Sequence, residues 1–506
     1  MDVVLSGLGD ALNLLNVLYV ILGVSLGIVV GCIPGLSGPI AIAMVIPLTY
    51  FMPTVGAIGF LVGINKGGCF GGSISAILLN TPGAPEAAAT CFDGYPLAKQ
   101  GKGLKAMKVA LISSVFGDFF STCLVILLAG SVAKYALKMG PAELLSVLIL
   151  AMMLIAALES ENFFNGVISA ALGILIACIG MEPVAGLPRF DFGLYQLESG
   201  LPIATLGVGL LAVAEIVRQC TACDNKECQF EDMLSVDYKD PKNDLSFREL
   251  ISLVPTLIRS ALVGSGIGAC PGLGSTVACF LSYGIAEKAA KPGDKFRHGE
   301  LKGVCAPETA NNAVVGAALI PLFTLGIPGS VAASLLVGAF IVHGITPGPL
   351  MFEEHGRTVY GVYGSMILGN IATLLLGLIS IRVFVKVLDI PKEVLFPVIL
   401  FICLMGAYAM ESDPFSVYVM AAFGFVGYMM RVARFSIVTF IIGFVLGKSF
   451  EISLQQTLLT FNGDMSVMFT SPIALFFNLC TIVFVCWNTW SAIKKFKASR
   501  RSVETA

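Results

Sequence analysis

Hydrophobic residues in this chain gather in long runs, among them 11–30, 144–158, 203–217 and 473–490, separated by short polar or turn-forming stretches. Runs of this kind predict membrane-embedded helices, since about 20 residues cross a bilayer. On the order of 14 to 16 segments fit the chain when full spans and re-entrant pieces are counted together. Polar positions inside the runs fall at recurring Pro-Gly elements. The stretch 31–38, with Pro34-Gly35-Leu36, returns at 268–275 with Pro271-Gly272. Each copy is followed by a second break, Asn80-Thr81-Pro82-Gly83 in the first and Gly326-Ile327-Pro328-Gly329 in the second.

Proline removes a backbone donor and glycine relaxes the helix, so each element interrupts a helix at membrane depth. Such a break persists in hydrocarbon only inside protein or along a cavity. Two matched breaks in each half therefore predict the substrate site of a secondary transporter. The expected fold is an all-α polytopic membrane protein. Two inverted-topology repeats bring broken or re-entrant helices together near the bilayer midplane.

Composition agrees: 56% of the 506 residues are hydrophobic and 13% charged, against about 25% charged in soluble domains. A net charge of −2 gives no footprint for nucleic acid. The N-terminus lacks the basic region of a cleavable signal peptide. The polar residues divide the chain into a first transmembrane repeat (1–218), a charged linker (219–249), a second repeat (250–490) and a basic tail (491–506) expected in the cytoplasm. Most of the 14 cysteines lie in apolar sequence. The cluster Cys220, Cys223 and Cys228 lacks a nearby histidine as fourth ligand, so free thiols are expected rather than a metal site.

Loop charges bear on orientation. Between the two breaks the second half carries Lys288, Lys291, Lys295, Arg297 and Lys302, whereas the matching stretch 50–54 is uncharged. Past the second break the first half carries Lys99, Lys102, Lys105 and Lys108, and the second carries Glu353, Glu354 and Arg357. With basic loops facing the cytoplasm, equivalent loops face opposite sides, which is the signature of inversion.

At the breaks, helix N-termini suit a carboxylate and neutral oxygens suit a sodium ion. The expected substrate-binding residues are Pro34, Gly35, Ser37, Lys66, Gly72, Ser73, Asn80, Thr81, Pro82 and Gly83 from the first half. Gly272, Asn311, Asn312, Pro328, Gly329 and Ser330 are their counterparts in the second. The sodium candidates are Ser75, Glu86, Ser275, Thr276, Glu308 and Thr309. Adjacent buried amides such as Asn311 and Asn312 are expensive unless used. Lys66 either meets an anionic substrate, stands where a sodium ion would bind, or forms an ion pair with Glu86 or Glu308. Asp93 stands at a break and is a further candidate for holding a cation or orienting amides. Asp118, Glu143, Glu159 and Glu215 read as structural residues near span ends or on bundle faces, and His343 as a packing or capping residue.

Enzyme signatures are poor. The stretch 443–449 falls one residue short of a P-loop, and 207–212 imitates a dinucleotide fingerprint with no strand before it. The metal-protease motif is absent, and no organic cofactor is expected.

These residues closely resemble the large permease subunit of the tripartite tricarboxylate transporters, the TctA family. The resemblance rests on Pro34-Gly35-Leu36, Phe70-Gly71-Gly72-Ser73-Ile74, 77–83, Asp93-Gly94-Tyr95-Pro96, Pro271-Gly272, 306–313, 325–329 and 343–349, and covers nearly the whole chain. It implies a multi-pass permease of the bacterial inner membrane. Its implied partners are a small four-span membrane subunit and a periplasmic solute-binding protein. Its implied activity is cation-coupled, usually sodium-coupled, import of carboxylates such as citrate. The chain departs from the family pattern at Asn65-Lys66, where uncharged or aromatic residues are more usual. A stand-alone carboxylate carrier and an intramembrane enzyme are the competing readings, and the re-entrant breaks suit an elevator motion by analogy.

Overall fold

The computed structural model describes residues 2–158, 162–183, 186–223, 240–271, 274–383 and 392–504. Gly272, Glu159, Cys228 and most of the expected linker lie outside the described residues. Among the described residues the regular structure is helical apart from one two-stranded antiparallel ribbon, Gly180–Met181 with Pro188–Arg189. Eight helices are long and apolar enough to cross a membrane, and five shorter apolar helices accompany them among the described residues.

The first half opens with α1 (Asp2–Ala11) and α2 (Leu14–Cys32), which stops at Pro34-Gly35. The chain turns back as α3 (Gly38–Thr49) and rises again as α4 (Thr54–Leu79). Asn80 caps α4 in the left-handed conformation, φ 52°. A single 3₁₀ turn, Pro85–Ala87, leads into α5 (Ala88–Lys99), α6 (Gly103–Ala136), α7 (Pro141–Leu158) and α8 (Phe163–Ala177). The short α9 (Tyr195–Glu198) precedes α10 (Ile203–Gly207), a π-helical stretch over Val208–Val213 and α11 (Ala214–Cys223). The last of these runs past the expected repeat boundary at Arg218.

The second half repeats the plan. A capping box of Ser246 and Glu249 starts α12 (Phe247–Ala269), which ends at the second Pro-Gly element. There follow α13 (Gly274–Lys288), α14 (Leu301–Ala317) and α15 (Leu319–Leu325). Gly326 is left-handed, φ 71°, as Asn80 is in the first half. Then come α16 (Val331–Val342), α17 (Met351–Glu354), α18 (Gly356–Val383) and α19 (Lys392–Glu411). The chain finishes with α20 (Pro414–Val432), α21 (Ile437–Thr460), α22 (Val467–Thr470) and α23 (Pro472–Glu504).

At the centre stands α4, with 25 of its 26 residues buried. A helix enclosed on every side needs small residues where its neighbours press closest. Gly23, Gly27 and Gly31 of α2 lie on the backbone at Phe60, Ile64 and Gly68 of α4. In the same way Gly264 and Gly268 of α12 lie on Ala310 and Val314 of α14. Helix directions follow from such contacts. Lys66 meets Asp118 while Leu78 meets Gly103, so α4 and α6 are antiparallel. Gly117 meets Thr309 while Ser121 meets Gly316, so α6 and α14 are parallel. The central helices α4 and α14 therefore run in opposite directions.

The halves exchange their later helices. From the first half, α7 and α8 pack on α21 of the second; from the second, α20 packs on the π-helical stretch and α11 of the first. A matched pair of ion clusters fastens this exchange. Glu215 holds Arg431 of α20 at 2.5 Å and accepts from Gln219. Glu451 holds Arg189 through two bonds of 2.6 and 2.9 Å and accepts from Gln455. Both acids open a Glu-Ile-x-x-Gln stretch, at 215–219 and 451–455.

Gly27→Ala sets a Cβ against the Ile64 carbonyl, whereas nothing lies within 4 Å of one on Gly284. Gly27→Ala is therefore expected to lower the melting temperature and folded yield. Gly284→Ala, relieved of glycine's helix cost of about 1 kcal/mol, should melt at or above wild type. Fluorescence-detected size exclusion after graded heating separates the two.

Candidate functional site

In both halves the second break folds back onto the first. A Cβ on Gly83 would collide with the Gly31 carbonyl and stand 2.9 Å from Gly72 Cα. One on Gly329 would lie 2.9 Å from both the Gly268 carbonyl oxygen and Ala318 Cα. The left-handed caps at Asn80 and Gly326 supply the reversal that sends the chain back. Each fold-back then leans on the other half: the 85–87 turn packs against α13 and α14, and α16 against α3 and α4.

The fold-back of the first half delivers a polar cluster around Glu308 of α14, which is 1% exposed. Thr90 donates to its Oε1 at 2.5 Å and Ser114 to its Oε2 at 3.2 Å. Ser73 faces the same carboxyl, and Glu86, Cys69 and Cys279 lie within electrostatic reach. No basic side chain pairs with Glu308 or Glu86 among the described residues. Beside Glu308, Asn312 donates to its backbone carbonyl at 2.9 Å. Asn311 is 1% exposed and neither its Oδ1 nor its Nδ2 has a partner. An orphaned buried amide costs about 1–3 kcal/mol per group, so Asn311 is the most conspicuous unspent polar group in this region.

Lys66 is elsewhere engaged. Of the three alternatives for Lys66, the ion pair with Glu86 or Glu308 is corrected in its partner: the ammonium donates to Asp118 Oδ2 of α6 at 2.5 Å and to Asn370 Oδ1 of α18 at 2.8 Å. Asp118 lies midway along the 34-residue α6 rather than near a span end, so the mid-span partner is Asp118.

The remaining expected residues are distributed as follows. Pro34 and Gly35 form the half-exposed tip of the first hairpin. Gly35 takes φ +86° and presses against Gln219 and Glu215. Ser37 precedes α3 without a side-chain capping bond. Gly72 accepts from Ser75 at 3.1 Å. Thr81 donates to Leu79 and lies with Pro82 at the half-buried fold-back. Pro328 is buried, and Ser330 caps α16 through the Ala333 amide at 3.2 Å. Ser275 and Thr276 sit half-buried in the first turn of α13. Thr309 presses its carbonyl against Gly117. Asp93 receives the Gly299 and Glu300 amides at 2.9 and 2.8 Å and the Tyr283 hydroxyl at 2.8 Å. It thereby anchors the start of α14. His343 stands at the C-terminal cap of α16.

Sequence reasoning missed Thr90, Ser114 and Asn370. The first two are hydroxyls within helices, with no local pattern to set them apart. Asn370 carried a usable signal: Gly369-Asn370 repeats Gly117-Asp118 at the matching place in the matching helix.

Among the described residues no group of three or more His, Cys, Asp and Glu side chains is placed to hold a metal ion. What the site offers instead is hydroxyl, amide and carboxylate oxygen. The profile of the tripartite tricarboxylate transporter TctA family matches residues 17–442. A protein of Agrobacterium vitis, named as an uncharacterized 52.8 kDa protein in the TAR-I ttuC' 3' region, is 34% identical over 468 residues, covering 92% of each chain. A second from that organism, in the TAR-II ttuC' 3' region, is 39% identical over 211 residues, 42% of this chain and 87% of its own. No solved structure matches.

Removing the Asp93 carboxylate strands two amides and a phenol at the start of α14. Asp93→Ala is expected to cost at least about 1.5–3 kcal/mol and Asp93→Asn less, read as loss of thermal stability in detergent. Equal melting of both variants and wild type would contradict the anchoring role.

Proposed function

The chain belongs to the TctA family of tripartite tricarboxylate transporters, and from that premise we propose that it is the permease that carries di- or tricarboxylates, citrate among them, across the bacterial inner membrane. In this reading sodium drives import, a periplasmic solute-binding protein delivers substrate, and a small four-span subunit completes the complex. One observation carries the site assignment: the Asn311 carboxamide stays unpartnered beside Glu308, where the fold-back of one half meets the other. A substrate carboxylate would take up its donor, and the first-turn amides of α3, left uncapped by Ser37, offer a second place of partial positive charge.

Sodium fits the residues present. Glu308, Glu86, Ser73, Thr90 and Ser114 offer hard oxygens, and the buried Glu308, beside the half-buried Glu86 and without a basic partner among the described residues, calls for a cation or a proton. The basic loops support inverted repeats. Gln100, between Lys99 and Lys102, donates to the His298 carbonyl at 2.7 Å, so the lysine-rich stretches of both halves share one face. That face would be cytoplasmic. The antiparallel course of α4 and α14 favours the same reading. By analogy, sliding of the fold-back elements as an elevator suits such hairpins.

Two outcomes are expected. In cells expressing the permease, small subunit and binding protein, labelled citrate or a related carboxylate accumulates under a sodium gradient. It does not accumulate when any component or the gradient is removed; full uptake without sodium and binding protein contradicts the reading. Asn311→Leu, which removes an unsatisfied amide, should keep or raise thermal stability while abolishing stabilisation by substrate. Retained stabilisation would place the substrate away from Asn311.

A further inference from the structure

Lys66, Asp118 and Asn370 form a system separate from the Glu308 cluster, built where α4, α6 and α18 cross. All three are buried: Lys66 is 1% exposed, Asp118 3% and Asn370 3%. The ammonium is held by two oxygens, Asp118 Oδ2 at 2.5 Å and Asn370 Oδ1 at 2.8 Å. The other carboxylate oxygen, Asp118 Oδ1, is buried and has no hydrogen-bond partner. Thr122, one turn beyond Asp118, brings its Oγ1 to 3.4 Å from Asn370 Nδ2. The crossing thus gathers three carboxylate or amide oxygens and a hydroxyl around one positive charge, with a helix from the second half closing the set.

The two halves show what is peculiar here. The matched contacts of Gly83 and Gly329 align α4 with α14 so that Lys66 corresponds to Asn312, and Asp118 corresponds to Asn370. At these two places the second half has two neutral amides; the first has a cation and an anion. The second half therefore fills the two matched positions without any charge. Among the described residues no other basic group pairs with Asp118. Were Lys66 neutral, the carboxylate would be buried without compensation, a state so costly that a cation or proton has to enter. Alkali ions take oxygen ligands of this kind.

We propose that the α4–α6–α18 crossing is an alkali-cation site that this chain keeps filled with its own Lys66 ammonium. The protein then binds one sodium ion fewer than the same scaffold carrying an uncharged residue at position 66. The chemistry of the site stands apart from transport; only its meaning for coupling, one sodium ion fewer per cycle, rests on the sodium-driven import proposed above.

The test compares wild type, Lys66→Met and Lys66→Met/Asp118→Asn, each purified as the full chain in detergent at pH 8.5 to disfavour protonation of Asp118. Melting is followed while NaCl replaces choline chloride at constant ionic strength. Lys66→Met is expected to gain a saturable sodium-dependent rise of at least about 2 °C beyond any shown by wild type. The double variant should lack that gain. Equal sodium responses in all three proteins would overturn the proposal and leave a plain structural ion pair. Where Lys66→Met does not fold in choline chloride, its folded yield is titrated with lithium, sodium and potassium chlorides. Recovery by an alkali ion supports the site; no recovery by any of them, with the double variant folded, overturns it. Because melting needs neither substrate nor partner subunits, loss of sodium-driven uptake would defeat the functional reading without touching this result.

Discussion

A helix broken within hydrocarbon frees backbone donors and acceptors that lipid cannot satisfy, and the architecture follows from enclosing those groups in protein. At the ends of α2 and α12 the Gly31 and Gly268 carbonyls are covered by the fold-back of the next break in the same half. That arrangement needs backbone to lie on backbone, which is why Gly31, Gly83, Gly268 and Gly329 stand at the contacts. Glycine acts there as a surface rather than a hinge. The same need explains α4, which is enclosed on nearly every side and carries glycine where its neighbours press closest.

Enclosure also sorts the buried charges into two kinds. Lys66 and Asp118 neutralise each other between α4 and α6, and the attraction between them offsets part of the cost of burying each charge. Among the described residues Glu308 is met by the hydroxyls of Thr90, Ser114 and Ser73, and neither it nor Glu86 has a basic partner. A carboxylate not already paired with a base attracts a cation more strongly than a closed ion pair does, so the second group is the one suited to exchange ions with solvent. The two groups are near one another along α4: Ser73, which faces Glu308, follows Lys66 by seven residues, about 10 Å of helix. Neighbouring positions on one helix thus serve opposite electrostatic ends.

Much of this was legible in the chain itself. The apolar runs, the Pro-Gly elements and their repetition announced membrane helices broken in matching places, because proline and glycine act on the local backbone. Asn80 and Gly326 behave as their residue types predict, taking the left-handed caps that reverse the chain. Tertiary pairing was less legible. Asp118 and Asn370 lie 52 and 304 positions from Lys66, and no local pattern ties them together. The exchange of α8 and α20 between the halves was equally hidden, since it depends on which helix faces fit together. Glu215 and Glu451, each paired across the halves, become intelligible only once that exchange is seen.

The claim on which the account turns is that the two halves cross the membrane in opposite senses around their enclosed breaks. The direct measurement places a single cysteine at Thr54 or at Lys295 in a background freed of the 14 native cysteines, then applies a membrane-impermeant maleimide to intact spheroplasts. The account predicts that position 54 is labelled from outside and position 295 only after the membrane is opened. Labelling of both positions from the same side would contradict it.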